Sequence, residues 1–406
     1  MNYYYVGIDW ADVNHAIHIT DDSAEKIDAF TVKHSLSGME AILKHVYRLT
    51  TDKKRILFAL ETDKGLLVNF LLDNGFTVFA INPKAVDRFR DRYDASRKKT
   101  DPIDAMLLAD ILRTDRHRFR TILPESDNLR ELKILTRDHK ALIATRTRLV
   151  NQLIACLKSY YPLAIELFSD VKQQICLDFL LAFPEPITAQ KLPLNKLKLF
   201  LSEHGYTRPE RIKSIFGKLK TPQIPVESFI IRAKSRRMLQ LASNVKDVNT
   251  HINKYEKEIT AILENHPDGK TFLSLPGANI ILAARILSEL GDNRDRYKNY
   301  NDAQCEAGTA PVTKQSGKYR HVVFRRACKK LFRDAMQQFA FSSIRQCQWA
   351  HSYYLSQRQH GKTHSESTRA LANKWVKIIY AMWQSRQPYD ELLHLNMLKN
   401  HVMKQL

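Results

Sequence analysis

Between Met238 and Ile262 the apolar residues Met238, Leu241, Val245, Val248, Ile252, Tyr255, Ile259 and Ile262 recur three and four apart without a miss. A seam of that spacing belongs to a long helix that buries one stripe against a second helix. Earlier in the chain Leu135, Leu142, Leu149 and Cys156 stand at every seventh position. The two segments therefore predict an antiparallel pair of long helices, or pairing across subunits. Between them lie Pro162, Pro184, Pro186, Pro193, Pro209, Pro222 and Pro225. Prolines so frequent stop any further long helix, so residues 162–225 read as a cap of short helices inserted at one end of the pair.

The chain before this pair is of another kind. Residues 3–9, 15–20 and 26–33 read as three short strands whose polar spacers suit a meander. A helix follows over 36–49, then an apolar strand from Arg55 to Leu60 that ends on Glu61. A second helix leads to a strand at Phe76–Ile81, stopped by Asn82-Pro83. Three meandering strands and then alternating helix and strand describe a ribonuclease H-like (RuvC-like) α/β order. Asp101-Pro102-Ile103-Asp104 opens the next helix, with Asp101 as its N-cap and Pro102 in the first helical position. The two aspartates are one turn apart and share a side.

Beyond Asp127 no strand is expected. Pro267-Asp268-Gly269 ends the second long helix, and a mostly helical region begins at Leu273-Ser274-Leu275-Pro276-Gly277. It closes with helices near 324–345 and 366–385. Three domains are predicted: an α/β domain over 1–125, coiled-coil helices with their cap over 126–266, and a helical domain over 267–406.

The chemistry of the first domain rests on Asp9, Glu61, Asp101 and Asp104, each placed where a strand should end or a helix begin. Carboxylates gathered in one place repel each other unless a cation neutralises them. An all-oxygen set suits Mg2+, and paired ions roughly 3.5–4 Å apart cleave phosphodiesters. Each residue also has a plain explanation. Asp9 can end a strand at a turn, Glu61-Thr62-Asp63 can be a solvated corner, and acids at a helix start stabilise any helix. Asp12 and Asp63 are the substitutes if one of the four is not used.

With 64 Lys+Arg against 43 Asp+Glu the chain carries a formal charge of +21, which favours phosphate backbones through counterion release. The excess is local. Lys314, Lys318, Arg320, Arg325, Arg326, Lys329, Lys330 and Arg333 come with no acid among them until Asp334, and Tyr319, His321 and Phe324 are interleaved. That is the pattern of a nucleic-acid track. Ser316 lies inside it on a glycine-flanked loop; it is a candidate nucleophile for a phosphate, although Gln-Ser-Gly is also ordinary turn chemistry. No apolar run is long enough to span a bilayer. Five cysteines, scattered and never paired as Cys-x-x-Cys, argue against a disulfide framework or a zinc site and for a reducing cytoplasm.

Gly7-Ile8-Asp9, Glu61 and Lys99-Thr100-Asp101-Pro102-Ile103-Asp104-Ala105 resemble the D-E-D-D signature of the insertion-sequence 110/1111 transposases, the DEDD recombinases related to Piv-type DNA invertases. Leu275-Pro276-Gly277, Gly308 with Pro311, Ser316-Gly317, Gly361-Lys362 with His364, Tyr380-Ala381-Met382-Trp383 and Pro388-Tyr389-Asp390 resemble the second half of the same family. The resemblance implies a RuvC-like domain, a coiled-coil segment and a C-terminal transposase domain. It implies Mg2+ on Asp9, Glu61, Asp101 and Asp104, and Ser316 as a nucleophile that links covalently to donor and target DNA. It also implies a structured guide RNA from the element's non-coding end, a tetramer built from dimers, and work at the bacterial nucleoid. Three other readings stay open on the residues alone. They are a metal nuclease or junction resolvase acting by hydrolysis, an actin-like ATPase or sugar kinase (which also begins Gly-Ile-Asp), and a non-catalytic nucleic-acid binder.

Overall fold

A computed structural model describes residues 3–93, 100–317, 319–392 and 395. The chain divides into two compact units, Met1–Pro124 and Glu125–Leu406.

The first unit is built on β1 (Tyr4–Asp9), β2 (Asn14–Asp21), β3 (Lys26–Lys33), β4 (Ile56–Leu60) and β5 (Thr77–Ala80), in the spatial order β3-β2-β1-β4-β5. The three meander strands pair antiparallel, whereas β4 and β5 run parallel to β1. Alternation along β1 decides which residue faces which layer. Val6 and Ile8 pack with Phe58 and Leu60 against α1 (Leu36–Tyr47) and α2 (Leu66–Asp73). Tyr5 packs with Leu57, Ala59 and Phe79 on the other face, against α3 (Pro83–Tyr93) and α4 (Asp101–Asp115).

Gly7 explains how closely α4 can lie on the sheet. A Cβ there would stand 2.0 Å from the Ala105 carbonyl oxygen and 2.5 Å from the Ala109 nitrogen. The start of α4 differs from the expectation. Thr100, in extended conformation, is the N-cap residue and makes no side-chain cap bond, so Asp101 is already helical. The first helical residues have no carbonyl four positions back within the helix, so proline fits at more than one of those positions and the sequence does not discriminate between them.

The second unit contains the long helices α5 (Asp127–Lys158) and α10 (Ser228–Asn265). They are antiparallel: Leu129 and Leu132 share a core with Ile259 and Leu263, and Leu153 and Cys156 share another with Met238, Leu241 and Val245. Midway the seam is thinner, with Leu142, Leu149, Val248 and Tyr255 only half-buried. Short helices α6 (Gln174–Ala182), α7 (Pro186–Gln190), α8 (Leu194–Glu203) and α9 (Pro209–Lys220) cap the Met238 end around Phe179, Leu197 and Ile215.

At the other end stand α11 (Gly269–Leu273), α12 (Ile280–Leu290), α13 (Tyr300–Glu306), the strands β6 (Val312–Ser316) and β7 (Tyr319–Val323), then α14 (Lys330–Gln346), α15 (Gln348–Gln359) and α16 (His364–Ser385). Trp375, Trp383, Phe332 and Phe339 fill their core. Two features correct the sequence reading. The strands do not stop at Asp127, because β6 and β7 form an antiparallel hairpin; its residues are almost all exposed, so no buried-face alternation marks it. The helix α15 was not anticipated either. It follows α14 after a single extended residue, Cys347, with no proline or glycine to punctuate the break. Among the described residues no helix is long and apolar enough to cross a membrane.

Candidate functional site

The register of the parallel pair β1–β4 ends with Ile8 beside Leu60. The next residue on each chain is Asp9 or Glu61, so the two acids leave adjacent strands at the same edge, where parallel strands are about 4.8 Å apart. Counting by twos from Tyr5 and from Leu57 puts both on the face covered by α4. That helix crosses β1 at Gly7 through Ala105 and Ala109, and its first turn holds Asp101 and Asp104. Asp9 and Glu61 thus lie at the carboxyl edge of the sheet, on the face that α4 covers. Asp101 is exposed, whereas Asp104 is only 4% exposed.

Asp104 already has a cationic partner. Arg90, on α3 and itself buried, donates through Nη2 to Asp104 and through Nη1 to Asp87 at 3.0 Å. The hydrogen bond to Asp104 holds the guanidinium pKa up, against its burial. Carboxylate oxygens are the ligands a hard divalent cation prefers. In chemistry the four acids suit Mg2+. Among the described residues, however, no three His, Cys, Asp or Glu side chains stand together as a ready cage. Asp104 is turned to Arg90.

In the second unit Ser316 is the last residue of β6. It pairs with Tyr319 across a two-residue turn in which Gly317 has a φ of +55°. A positive φ is the reason for glycine there. Alternation puts Lys314, Ser316, Tyr319 and His321 on one side of the hairpin, and Thr313, Gln315, Arg320 and Val322 on the other. The Tyr319 and His321 rings lie near-parallel, 6.2 Å apart. Those four residues on the Ser316 side are exposed, whereas Val312 and Val323, further along the same side, are half-buried. This differs from the glycine-flanked loop read from the sequence: the serine is carried on a strand.

The basic track is not uniform. Lys314, Arg320, Arg326 and Lys330 are exposed, and Arg325 is held by the Ala310 carbonyl at 3.1 Å. Arg333 lies over the Phe324 ring at 5.0 Å. Lys329 is committed elsewhere: its Nζ is 2.8 Å from Glu306, which Arg296 also holds at 2.8 Å. Burial opposes the charge on Glu306, but Arg296 and Lys329 outweigh it and draw its carboxyl down to about 2. Lys329 is therefore a structural cation in this arrangement. Lys318 lies outside the described residues.

One group beside the acid edge escaped the sequence reading. Trp10 follows Asp9, His15 is fully buried, and His15 Nε2 is 2.9 Å from His34 Nδ1. A histidine in the second strand, six residues beyond Asp9, was the available signal. It reads as a core residue until the neighbouring β3 end brings His34 to it.

A transposase family profile matches residues 6–162, which include all four acids, and the profile of the IS116/IS110/IS902 transposase family matches residues 269–355, which include Ser316. Over 398 residues the chain is 32% identical to the IS117 mini-circle protein of Streptomyces coelicolor, assigned as a transposase, with 95% of each chain covered. This chain belongs to the IS110 family of transposases. The transposase is also 27% identical over 397 residues to the 43.6 kDa protein of insertion element IS110 from Streptomyces coelicolor, covering 95% of this chain and 96% of that one. The 42 kDa protein of insertion element IS900 from Mycobacterium paratuberculosis is 24% identical over 393 residues, with the same coverage. A transposase is an enzyme that acts on DNA.

Proposed function

We propose that this transposase cuts and rejoins DNA strands by attack of the Ser316 hydroxyl on a scissile phosphodiester, with Asp9, Glu61, Asp101 and Asp104 acting on the same phosphate. The observation that carries this reading is the acid edge: two acids leave paired central strands side by side, and α4 is pressed over Gly7 with two more in its first turn. The strand order β3-β2-β1-β4-β5 supports a ribonuclease H-like assignment of the first unit. We further read residues 126–266 as the coiled-coil part and 267–406 as the C-terminal transposase domain.

Mg2+ bound by the four carboxylates would supply charge stabilisation to the phosphate oxygens and to the attacking and leaving oxygens. Asp104 would join that set by exchanging Arg90 for the ion. Ser316 Oγ loses its proton and bonds to phosphorus, the bond from phosphorus to the 3′ oxygen breaks, and that oxygen takes up a proton. The products are a phosphoserine ester and a free 3′-hydroxyl. Because the ester retains the energy of the broken bond, a 3′-hydroxyl from another strand can displace the serine without ATP. Lys314 and Arg320, exposed on the hairpin, hold flanking phosphates. The family resemblance supports the rest of the reading: a structured guide RNA selects donor and target DNA, the working assembly is a tetramer built from dimers, and its place is the bacterial nucleoid.

The test is to incubate the protein with its element's RNA, Mg2+ and end-labelled DNA. A labelled protein band that survives denaturation and disappears in Ser316→Ala is the expected result. Strand cutting with no adduct in the wild type would make water the nucleophile and the protein a hydrolytic nuclease.

A further inference from the structure

Among the described residues the first unit exposes five large hydrophobic side chains: Trp10, Val13, Ile27, Leu36 and Leu66. Four of them share the edge that carries the acids. Trp10 and Val13 lie in the loop after β1, Leu36 opens α1 just beyond β3, and Leu66 opens α2 just beyond β4. Since β1, β3 and β4 all run the same way, those three exits are at one end of the sheet.

Trp10 is 41% exposed yet held in place. Its ring is near-parallel to that of His15 and edge-on to that of His34, each 6.4 Å away. The histidines are themselves fixed by hydrogen bonds. The Ala11 N–H donates to His15 Nδ1 at 3.4 Å, so a neutral His15 carries its proton on Nε2 and donates it to His34 Nδ1 at 2.9 Å. Burial, with His34 alongside, lowers the His15 pKa and keeps that ring neutral. The Val13 carbonyl accepts from the His34 N–H at 2.8 Å, which ties the loop to the end of β3.

We propose that Trp10 is a stacking platform for an unpaired base of the DNA strand engaged at the acid edge. The inference rests on the proposed strand chemistry only for the direction from which the strand arrives. A flat, pre-positioned aromatic face one residue from Asp9 is within a nucleotide of any phosphate held there. Such a face takes any base, because every base has a π-face. A protein partner suits this surface poorly, since covering the apolar rim would also desolvate Asp9, Asp12, Glu61 and Asp63 at the same edge. A DNA strand meets those acids through a phosphate and its cations while its base turns to the indole.

The four tryptophans make the test direct, because Trp349 is 8% exposed and Trp375 and Trp383 are fully buried. Quenchable tryptophan emission of the full-length protein therefore reports on Trp10. Titration with a single-stranded oligonucleotide should quench it. The same strand with abasic positions should quench much less, although its phosphate charge is unchanged. Trp10→Leu should lose the response and bind the intact strand roughly ten-fold more weakly, and Trp10→Tyr should restore most of the affinity. Constant wild-type emission while a labelled strand is seen to bind would overturn the proposal. So would an emission change that follows protein concentration without DNA, which would mark a contact between copies. Strand joining by the wild type with a silent Trp10 would sink this inference and leave the proposed function standing. Base-dependent quenching without any strand chemistry would do the reverse.

Discussion

The acid edge and the Ser316 hairpin are built in opposite ways. Asp9 and Glu61 extend strands whose preceding residues Val6, Gly7, Ile8, Ala59 and Leu60 are all buried, and Asp104 is buried beside Arg90 of α3. Around Ser316, every residue from Thr313 to Val322, apart from Lys318, which lies outside the described residues, is exposed. A set of metal ligands works only when its geometry is fixed to a fraction of an ångström, and packing of the core supplies that precision. A nucleophile that bonds to one strand and then releases it to another needs reach more than rigidity. An exposed two-stranded hairpin opens locally at little cost. Under the proposed function the acid edge would hold the strand and the hairpin would handle it, and single substitutions can break that division.

The largest effect is expected at the hairpin. Ser316→Ala should reduce strand joining by roughly 10^4-fold or more and abolish the covalent adduct, while the melting temperature stays at the wild-type value. Asp9→Asn should reduce joining by a similar factor through the other region. If Ser316→Ala still cuts at the wild-type rate in a gel assay with labelled DNA, the handling role is lost.

How much of this could be read from the residues follows the same division. The order of the first five strands and the helices between them was legible because short apolar runs, such as the fully buried Ile56–Leu60, are set off by polar spacers. In the sequence Gly7 is only part of Gly7-Ile8-Asp9, and its packing reason comes from α4, about a hundred residues away. Arg90 was invisible for the same cause. In the sequence it is one basic residue between Asp87 and Asp91, and only the fold turns it toward Asp104. The hairpin was missed because exposure leaves no periodic mark. Lys329 looked like its basic neighbours until Glu306, 23 positions earlier, was found to hold it.

Two substitutions sharpen the picture of the acid edge. Gly7→Ala should destabilise the first unit by about 3 kcal/mol or more, since its Cβ would stand 2.0 Å from a backbone oxygen that cannot move without shifting α4. Denaturant unfolding followed by a probe in that unit measures it. Arg90→Met should come next. Removing one partner of a buried pair leaves Asp104 uncompensated, at a cost of about 3 kcal/mol in the absence of divalent ions. Added Mg2+ should recover much of that loss, so the metal-dependent rise in melting temperature should be larger in Arg90→Met than in wild type. An equal rise in both proteins would mean that Asp104 does not exchange the arginine for the ion.

The smallest effect is the most discriminating, because it repeats the glycine-to-alanine change in the other region. Gly317 has a φ of +55° and nothing within 4 Å of where its Cβ would stand. Gly317→Ala therefore meets no clash, only the backbone strain of a left-handed conformation, about 1–2 kcal/mol. Since the hairpin contributes little to any core, that strain is relieved by fraying of the β6–β7 pairing, and the global unfolding midpoint should not move. Faster hydrogen exchange at amides between Lys314 and His321 should report the fraying, with adduct formation slowed by about ten-fold at most. Gly317→Asn should show a weaker version of both changes, because asparagine tolerates that backbone better than alanine does. If Gly317→Ala instead lowered global stability as far as Gly7→Ala does, the hairpin would be part of the packed scaffold, and Ser316 would be held as rigidly as the acids are.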